Sequence, residues 1–399
     1  QVDFIQLLLN QGGLKNYNYF LHLLDKLISL EEIKLDKSLI DFHDELVKWN
    51  WTDNNNPNIA IFLYKSLLQS GNTELADSIV EISKRNQINP KIVWITSFKS
   101  KDIQKEVINL LANEKIEAII TTTSFSSVEH KHDDIQNSLW DSFNVPVYQL
   151  LISSSSINEW KKSTVGLNPI DLSIQVVLPE VDGRICTVPI AFKNLCHTDN
   201  ELSVSVYKTE PYEKHIEWCF KYIKNLVYLR KTSNSKKMIA VVLANYPVKD
   251  SRIANGVGLD TPESLLNILR WLKHEGYYLG DDPLPKTSKE LINKLITYRT
   301  NSDETISNEP QSYLSPDDYL YYWNNIESYA KKKLIKRWGE PTNSKQLEKR
   351  GFPINGLSLG NITILVQANR GFESDNLSDL HSPDLPPTHK YIAQYFWLT

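Results

Sequence analysis

A chain of 399 residues exceeds one ordinary domain and predicts two or three. Hydrophobic residues at 41% and charged residues at 23% exclude a disordered polymer. A net charge of −4 supplies no basic excess, so nucleic acid is not expected as a partner. In chain order, residues 1–56 predict a helical segment: FIQLLLN, YFLHLLDKLISLEEI and LIDFHDELVKW each carry apolar residues three and four apart, before the turn formers WTDNNNPN. Residues 57–195 then alternate. IAIFLYK, KIVWITS, EAIITTTSF and VPVYQLLIS predict strands, and TELADSIVEISKRN and KDIQKEVINLLANE predict amphipathic helices. Short β-branched strands separated by helices predict a parallel sheet covered on both faces. Residues 196–235 are expected to connect two units through the helix PYEKHIEWCFKYIKNLVYLRK. Residues 236–399 predict a second unit, with MIAVVLANYP and NITILVQA as strands. TPESLLNILRWLKHEG, capped by Thr261, LINKLITYR and DYLYYWNNIESYAKKKLIKRW are its helices. The fold class is therefore α/β: a helical segment followed by two parallel-sheet, flavodoxin-like units, with the C-terminal helix YIAQYFWLT reading as cut off in mid-course.

No apolar run approaches the ~20 residues that span a bilayer, and no signal-peptide pattern opens the chain. Cys186, Cys196 and Cys219 have neither metal-ligand spacing nor an even count, which favours reduced thiols and a cytoplasmic location. The basic run Lys331-Lys332-Lys333, with Lys336 and Arg337, reads as a solvated helix face.

Three places carry residues suited to chemistry. The loop VKDSRIANGVGLD follows a strand and precedes a helix, where ligands of open α/β sheets bind. Its Gly256 and Gly258 leave room for close approach, but Thr261 stands where a dinucleotide fingerprint needs a third glycine. No GxxxxGK[ST] occurs, so the chain has no Walker-type ATP site of its own. After NITILVQA come Asn369, Arg370, Glu373, Asp375, His381 and His389. Imidazole and carboxylate suit a divalent transition metal or a proton acceptor. Equally, this is a polar loop whose His389 caps the next helix, and spacing leaves both readings level. His130 and His132 form a metal-like clip in a hydrophilic connection, where such runs are usually solvated.

The segments LQSGN (68–72), GLNPIDLSIQVVLPEVDGRI (166–185), SRIANGVGLDTPESLLNILRWLKHEGY (251–277) and GNITILVQANRGFESD with LHSPDLPPTHKYIAQYFWL (360–398) resemble, in matching order, the CobN-type cobaltochelatase large subunits and the magnesium chelatase H subunits. LPEVDGRI and HSPDLPPTH resemble the CobN branch more. The resemblance implies a subunit that binds a tetrapyrrole, in that branch hydrogenobyrinic acid a,c-diamide, and inserts Co2+ in cobalamin biosynthesis. ATP with Mg2+ would be hydrolysed on separate AAA+ partner subunits. It implies substrate contacts from Asn245, Arg252, Asn255, Gly256, Gly258, Asp260, Gln367 and Arg370, with the arginines pairing peripheral carboxylates. It implies metal binding by His389, His381, Glu373 and Asp375, with His389 and Glu373 accepting pyrrole protons. Such subunits exceed a thousand residues, so this chain reads as an N-terminal portion. The alternatives are a magnesium chelatase H-like porphyrin-binding subunit and a non-catalytic tetrapyrrole-binding fragment.

Overall fold

The computed structural model describes residues 2–32, 35–41, 45–127, 138–244, 258–301, 307–371, 382 and 384–399. They form two compact units, Gln1–Arg230 and Lys231–Thr399.

The first unit is built on seven strands: β1 (Leu46–Trp49), β2 (Asn58–Tyr64), β3 (Asn89–Ile95), β4 (Ile116–Thr121), β5 (Val147–Ser153), β6 (Ile185–Asp199) and β7 (Val204–Pro211). Their order is β1-β3-β2-β4-β5-β6-β7. The five central strands are parallel, and β1 and β7 close the edges antiparallel. The period of two along a strand sends alternate side chains of β2 into two cores. Ile59, Ile61 and Leu63 meet Leu75, Ile79 and Ile82 of helix Glu74–Arg85 and Ile216, Phe220 and Ile223 of helix Glu213–Lys231. Ala60 and Phe62 meet Val107 and Leu111 of helix Lys101–Leu111, with Phe98 and Trp140. Burial on both faces is why these strands read as unbroken apolar runs.

Two expectations change in this unit. Helices Val2–Gln11 and Leu14–Ile28 form, but LVKW is strand rather than helix, because its backbone pairs with β3 from Leu46↔Ile95 to Trp49↔Ile92. Residues 196–235, expected to connect two units, instead supply the last four residues of β6, all of β7 and a helix whose buried stripe belongs to the first core.

The second unit departs further from expectation. Its strands are β8 (Ile239–Leu243), β9 (Ser312–Leu314), β10 (Phe352–Ile354), β11 (Gly356–Leu359) and β12 (Ile362–Val366). Among the described residues, β8 and β12 are its one parallel pair, in register from Ile362↔Ile239 to Val366↔Leu243. β11 adds antiparallel to β12, and β9 and β10 form a separate antiparallel ribbon. A second large parallel sheet is therefore replaced by two small sheets, each with its own core. Helices Thr261–His274 and Ser288–Ile296 cover the three-stranded sheet through Leu265, Leu269, Leu291 and Leu295. The single helix expected over 318–338 is two, Pro316–Asn324 and Ser328–Trp338, broken where the Asn325 side chain donates back to the Tyr321 carbonyl at 3.0 Å. Both pack with helix His389–Trp397 around Tyr319, Trp323, Leu334 and Phe352.

Candidate ligand site beyond the parallel pair

β8 and β12 end side by side, and the chain beyond their carboxyl ends carries most of the residues singled out from sequence. The Gln367 N–H donates to the Leu243 carbonyl at 2.9 Å, extending the pairing by one residue. The Gln367 carbonyl accepts from Asn301 Nδ2 at 2.6 Å, and Asn301 Oδ1 accepts from Asn355 Nδ2 at 2.8 Å. The side-chain amide of Gln367 donates to the hydroxyls of Tyr391 (2.9 Å) and Tyr395 (3.3 Å), one helical turn apart. Behind them Gln394 Oε1 accepts the Ala368 N–H at 2.7 Å. Among the described residues, three buried polar atoms here have no partner: Asn355 Oδ1, Asn369 Oδ1 and Gln394 Nε2.

Arg370 points its guanidinium at the chain itself. Its Nη2 donates to the carbonyls of Ser382 (3.1 Å) and Leu385 (2.8 Å), while its own carbonyl accepts the Thr388 N–H. It thereby ties Ser382, Leu385 and Thr388 to the end of β12. Thr388, not His389, caps the last helix, its hydroxyl accepting from the Tyr391 N–H at 3.2 Å. His389 is 1% exposed. Its Nε2 lies 2.9 Å from the Gly339 carbonyl, which can only accept, so Nε2 carries the proton and Nδ1 accepts from the Tyr319 hydroxyl at 2.8 Å. Burial lowers the imidazole pKa more than the Gly339 contact raises it, keeping the ring neutral. With both nitrogens engaged, this histidine presents neither to a metal in the described conformation.

At the other strand, Asp260 caps helix Thr261–His274 by accepting from the Glu263 N–H at 3.0 Å, which corrects the expectation that Thr261 is the cap. Gly258 precedes it at φ +76°. Asn245, Arg252, Asn255 and Gly256 lie outside the described residues, as do Glu373, Asp375, His381, His130 and His132. Among the described residues no three His, Cys, Asp or Glu side chains converge as a metal site. The basic run lies on helix Ser328–Trp338 with Lys332, Lys333, Lys336 and Arg337 exposed, as expected.

The first unit holds a second polar cluster in the segment GLNPIDLSIQVVLPEVDGRI. Asp182 and Arg184 pair at 2.9 Å with fully buried side chains, and Arg184 also donates to the Thr123 and Phe125 carbonyls and to Gln149 Oε1, each at 2.9 Å. Burial alone would raise the Asp182 carboxyl; the Arg184 charge and the Ser126 and Ser127 donors outweigh it and hold the pKa below the usual range. With this arginine's donors on Asp182, main chain and Gln149, the cluster ties the segment after β4 to β5.

Tyr319, Asn355, Tyr391, Tyr395 and Gln394 were not anticipated. The spacing of Tyr391 and Tyr395 by four residues in HKYIAQY was the one local signal; Gln394 lies in the same segment, and Tyr319 and Asn355 are brought in from distant sequence.

Among the described residues no helix is long and apolar enough to cross a membrane. Residues 8–399 match the CobN/Magnesium Chelatase family. The chain is 33% identical over 345 residues to a protein named aerobic cobaltochelatase subunit CobN from Pseudomonas aeruginosa, covering 86% of this chain and 27% of that one. It is 26% identical over 351 residues to the chloroplastic magnesium-chelatase subunit ChlH of Oryza sativa subsp. indica, covering 86% of this chain and 24% of that one. In fold it is similar to the catalytic subunit of cobaltochelatase from Mycobacterium tuberculosis, with a TM-score of 0.77 at 24% identity over 99% of this chain and 33% of that chain. The chain thus spans about a quarter of the length of the curated relatives it matches. On this match over nearly its whole length, the chain belongs to the CobN/Magnesium Chelatase family.

Proposed function

We propose that this chain is the tetrapyrrole- and metal-handling portion of a cytoplasmic chelatase subunit that inserts Co2+ into the corrin precursor hydrogenobyrinic acid a,c-diamide. ATP hydrolysed with Mg2+ on separate AAA+ subunits would drive the insertion. The observation that carries the cobalt branch is the 33% identity to a cobaltochelatase subunit, against 26% to a magnesium-chelatase subunit. The ring would lie beyond the carboxyl ends of β8 and β12, where strand ends leave backbone and side-chain polar groups facing outward. Asn245, Arg252, Asn255 and Gly256 would meet it from the loop after β8, and Gln367 from the end of β12.

Two N–H protons must leave the ring as Co2+ enters, so a nearby base lowers the barrier. Glu373 takes that role in this reading, and Asp375 and His381 hold the incoming metal. His389, buried and doubly bonded, positions the helix that follows rather than touching the metal. In the full-length subunit, Glu373→Gln should then abolish insertion while macrocycle affinity stays within a few fold. Intact insertion by that variant sinks the assignment. The branch is tested by fluorescence titration with the metal-free corrin and with protoporphyrin. Tighter binding of the porphyrin moves the chain to the magnesium branch, and ring binding without insertion, partners and ATP present, makes it a carrier.

A further inference from the structure

A surface helix ordinarily turns its apolar side to the core and its polar side to water. In the first unit, 169–181 does the reverse. Three short stretches follow one another there: Pro169–Leu172, Ser173–Val177 in π geometry, and Leu178–Val181. The side chains turned inward are polar, Asp171 at 2% exposure and Gln175 at 5%. Those turned outward are apolar: Ile170 is 71% exposed, Val177 52%, Val181 49% and Leu172 46%.

Inward contacts fix this orientation. Gln175 Oε1 accepts the Ile152 N–H at 2.7 Å and its Nε2 donates to the Ile152 carbonyl at 2.6 Å, as a neighbouring strand would. Asp171 Oδ2 accepts from the N–H (2.7 Å) and the hydroxyl (3.0 Å) of Ser154. The Leu178 N–H goes to the Ser173 carbonyl and Pro179 has no N–H, so the Ile174 carbonyl is left to accept the Phe125 N–H at 3.0 Å. Rolling 169–181 over to hide its valines would strip these buried groups of their partners, a greater loss than the gain from a few methyl groups.

The outward apolar face is therefore built in, and its size bears on what covers it. It offers on the order of a few hundred Å2, whereas a stable complex of separate chains buries about 800 Å2 on each. A second copy of this chain would gain too little here to offset its lost translational and rotational freedom. A segment of the same polypeptide is already tethered and is spared most of that loss. About three quarters of the length of the curated relatives lies outside the part this chain matches, which is ample polypeptide to supply such a segment.

We propose that the outer face of 169–181 is a docking surface for an apolar segment of the same subunit, drawn from the length this chain does not contain. The inference stands apart from what the subunit binds. The experiment is maleimide labelling of the full-length protein carrying Val177→Cys, read by mass spectrometry on the peptide that holds position 177. Labelling should be at least about tenfold slower in native buffer than in urea, the mark of a side chain reached only by local opening. A smaller difference overturns the docking surface. Protection that fades as the protein is diluted means a second copy covers the face, and overturns it too. Val177→Lys gives a second reading: a charge set under an apolar segment should lower the urea midpoint of the full-length protein, and an unchanged midpoint overturns the proposal. Cysteine is close to valine in volume, so the labelling decides the matter even where the lysine variant does not fold.

Discussion

Both ring nitrogens of His389 are engaged, one by the Tyr319 hydroxyl and one by the Gly339 carbonyl, at 1% exposure. Its pKa is lowered from the ordinary value of 6.5, so just below that value the unfolded chain holds a proton that the folded chain does not. The second unit thus has its full stability above about pH 6.5 and loses some as pH falls through the lowered folded value. Calorimetry should show the melting temperature dropping between about pH 7 and pH 5, with a shallower drop in His389→Gln. Equal slopes for the two proteins refute the account. Tyr319→Phe leaves Nδ1 buried without its donor and should cost about 1–3 kcal/mol in urea unfolding, with no change at the same position when His389 is already replaced. At this scale the sequence identified Gln367, Arg370 and His389 as residues of consequence. It could not say that Arg370 turns onto Ser382 and Leu385, or that His389 is closed on both sides, because those partners come from segments far along the chain.

Two elements owe their geometry to residues that local pattern does not price. The β11–β12 turn is made by Gly360 at φ +56°, where a Cβ would collide with the backbone nitrogen of Gly280. Gly360→Ala combines a left-handed conformation with that overlap and should destabilise the second unit by about 2–4 kcal/mol, read as a lower urea midpoint with the slope unchanged. A loss under about 0.5 kcal/mol refutes the close approach. In the first unit, Arg184→Met strips the buried Asp182 carboxylate of its counter-charge and should cost about 3–5 kcal/mol. Asp182→Asn and Arg184→Met together should cost less than the sum, because the second change removes the unpaired charge left by the first. Helix and strand were legible where one helix face is buried, as in Glu74–Arg85, and where a short strand is buried on both faces, as in β2–β5. The periods failed at LVKW and at 318–338. In the first, pairing with β3 overrides a helical spacing; in the second, an asparagine side chain ends a helix that the apolar pattern would continue.

The largest core of the first unit is gathered around Ile59, Trp94 and Phe220, and the second unit has one core around Leu266 and Ile364 and another around Tyr319 and Phe352. Protonation of His389 acts on the second unit alone. Hydrogen exchange at about pH 5 should therefore release the amides of Ile362–Val366 before those of Ile59–Leu63. Simultaneous release would mean the cores open as one. What the sequence by itself determined was the chemistry available: an α/β chain without Walker residues, with family segments in matching order and strands of alternating cores. The reason is physical, since period and turn chemistry depend on neighbours within a few positions. What only the tertiary structure decided was the division at residue 230, the reduction of the second sheet to one parallel pair, and the company kept by each polar group. Those depend on contacts between residues tens of positions apart, such as Asn301 with Gln367 or Tyr319 with His389, and no local spacing encodes them.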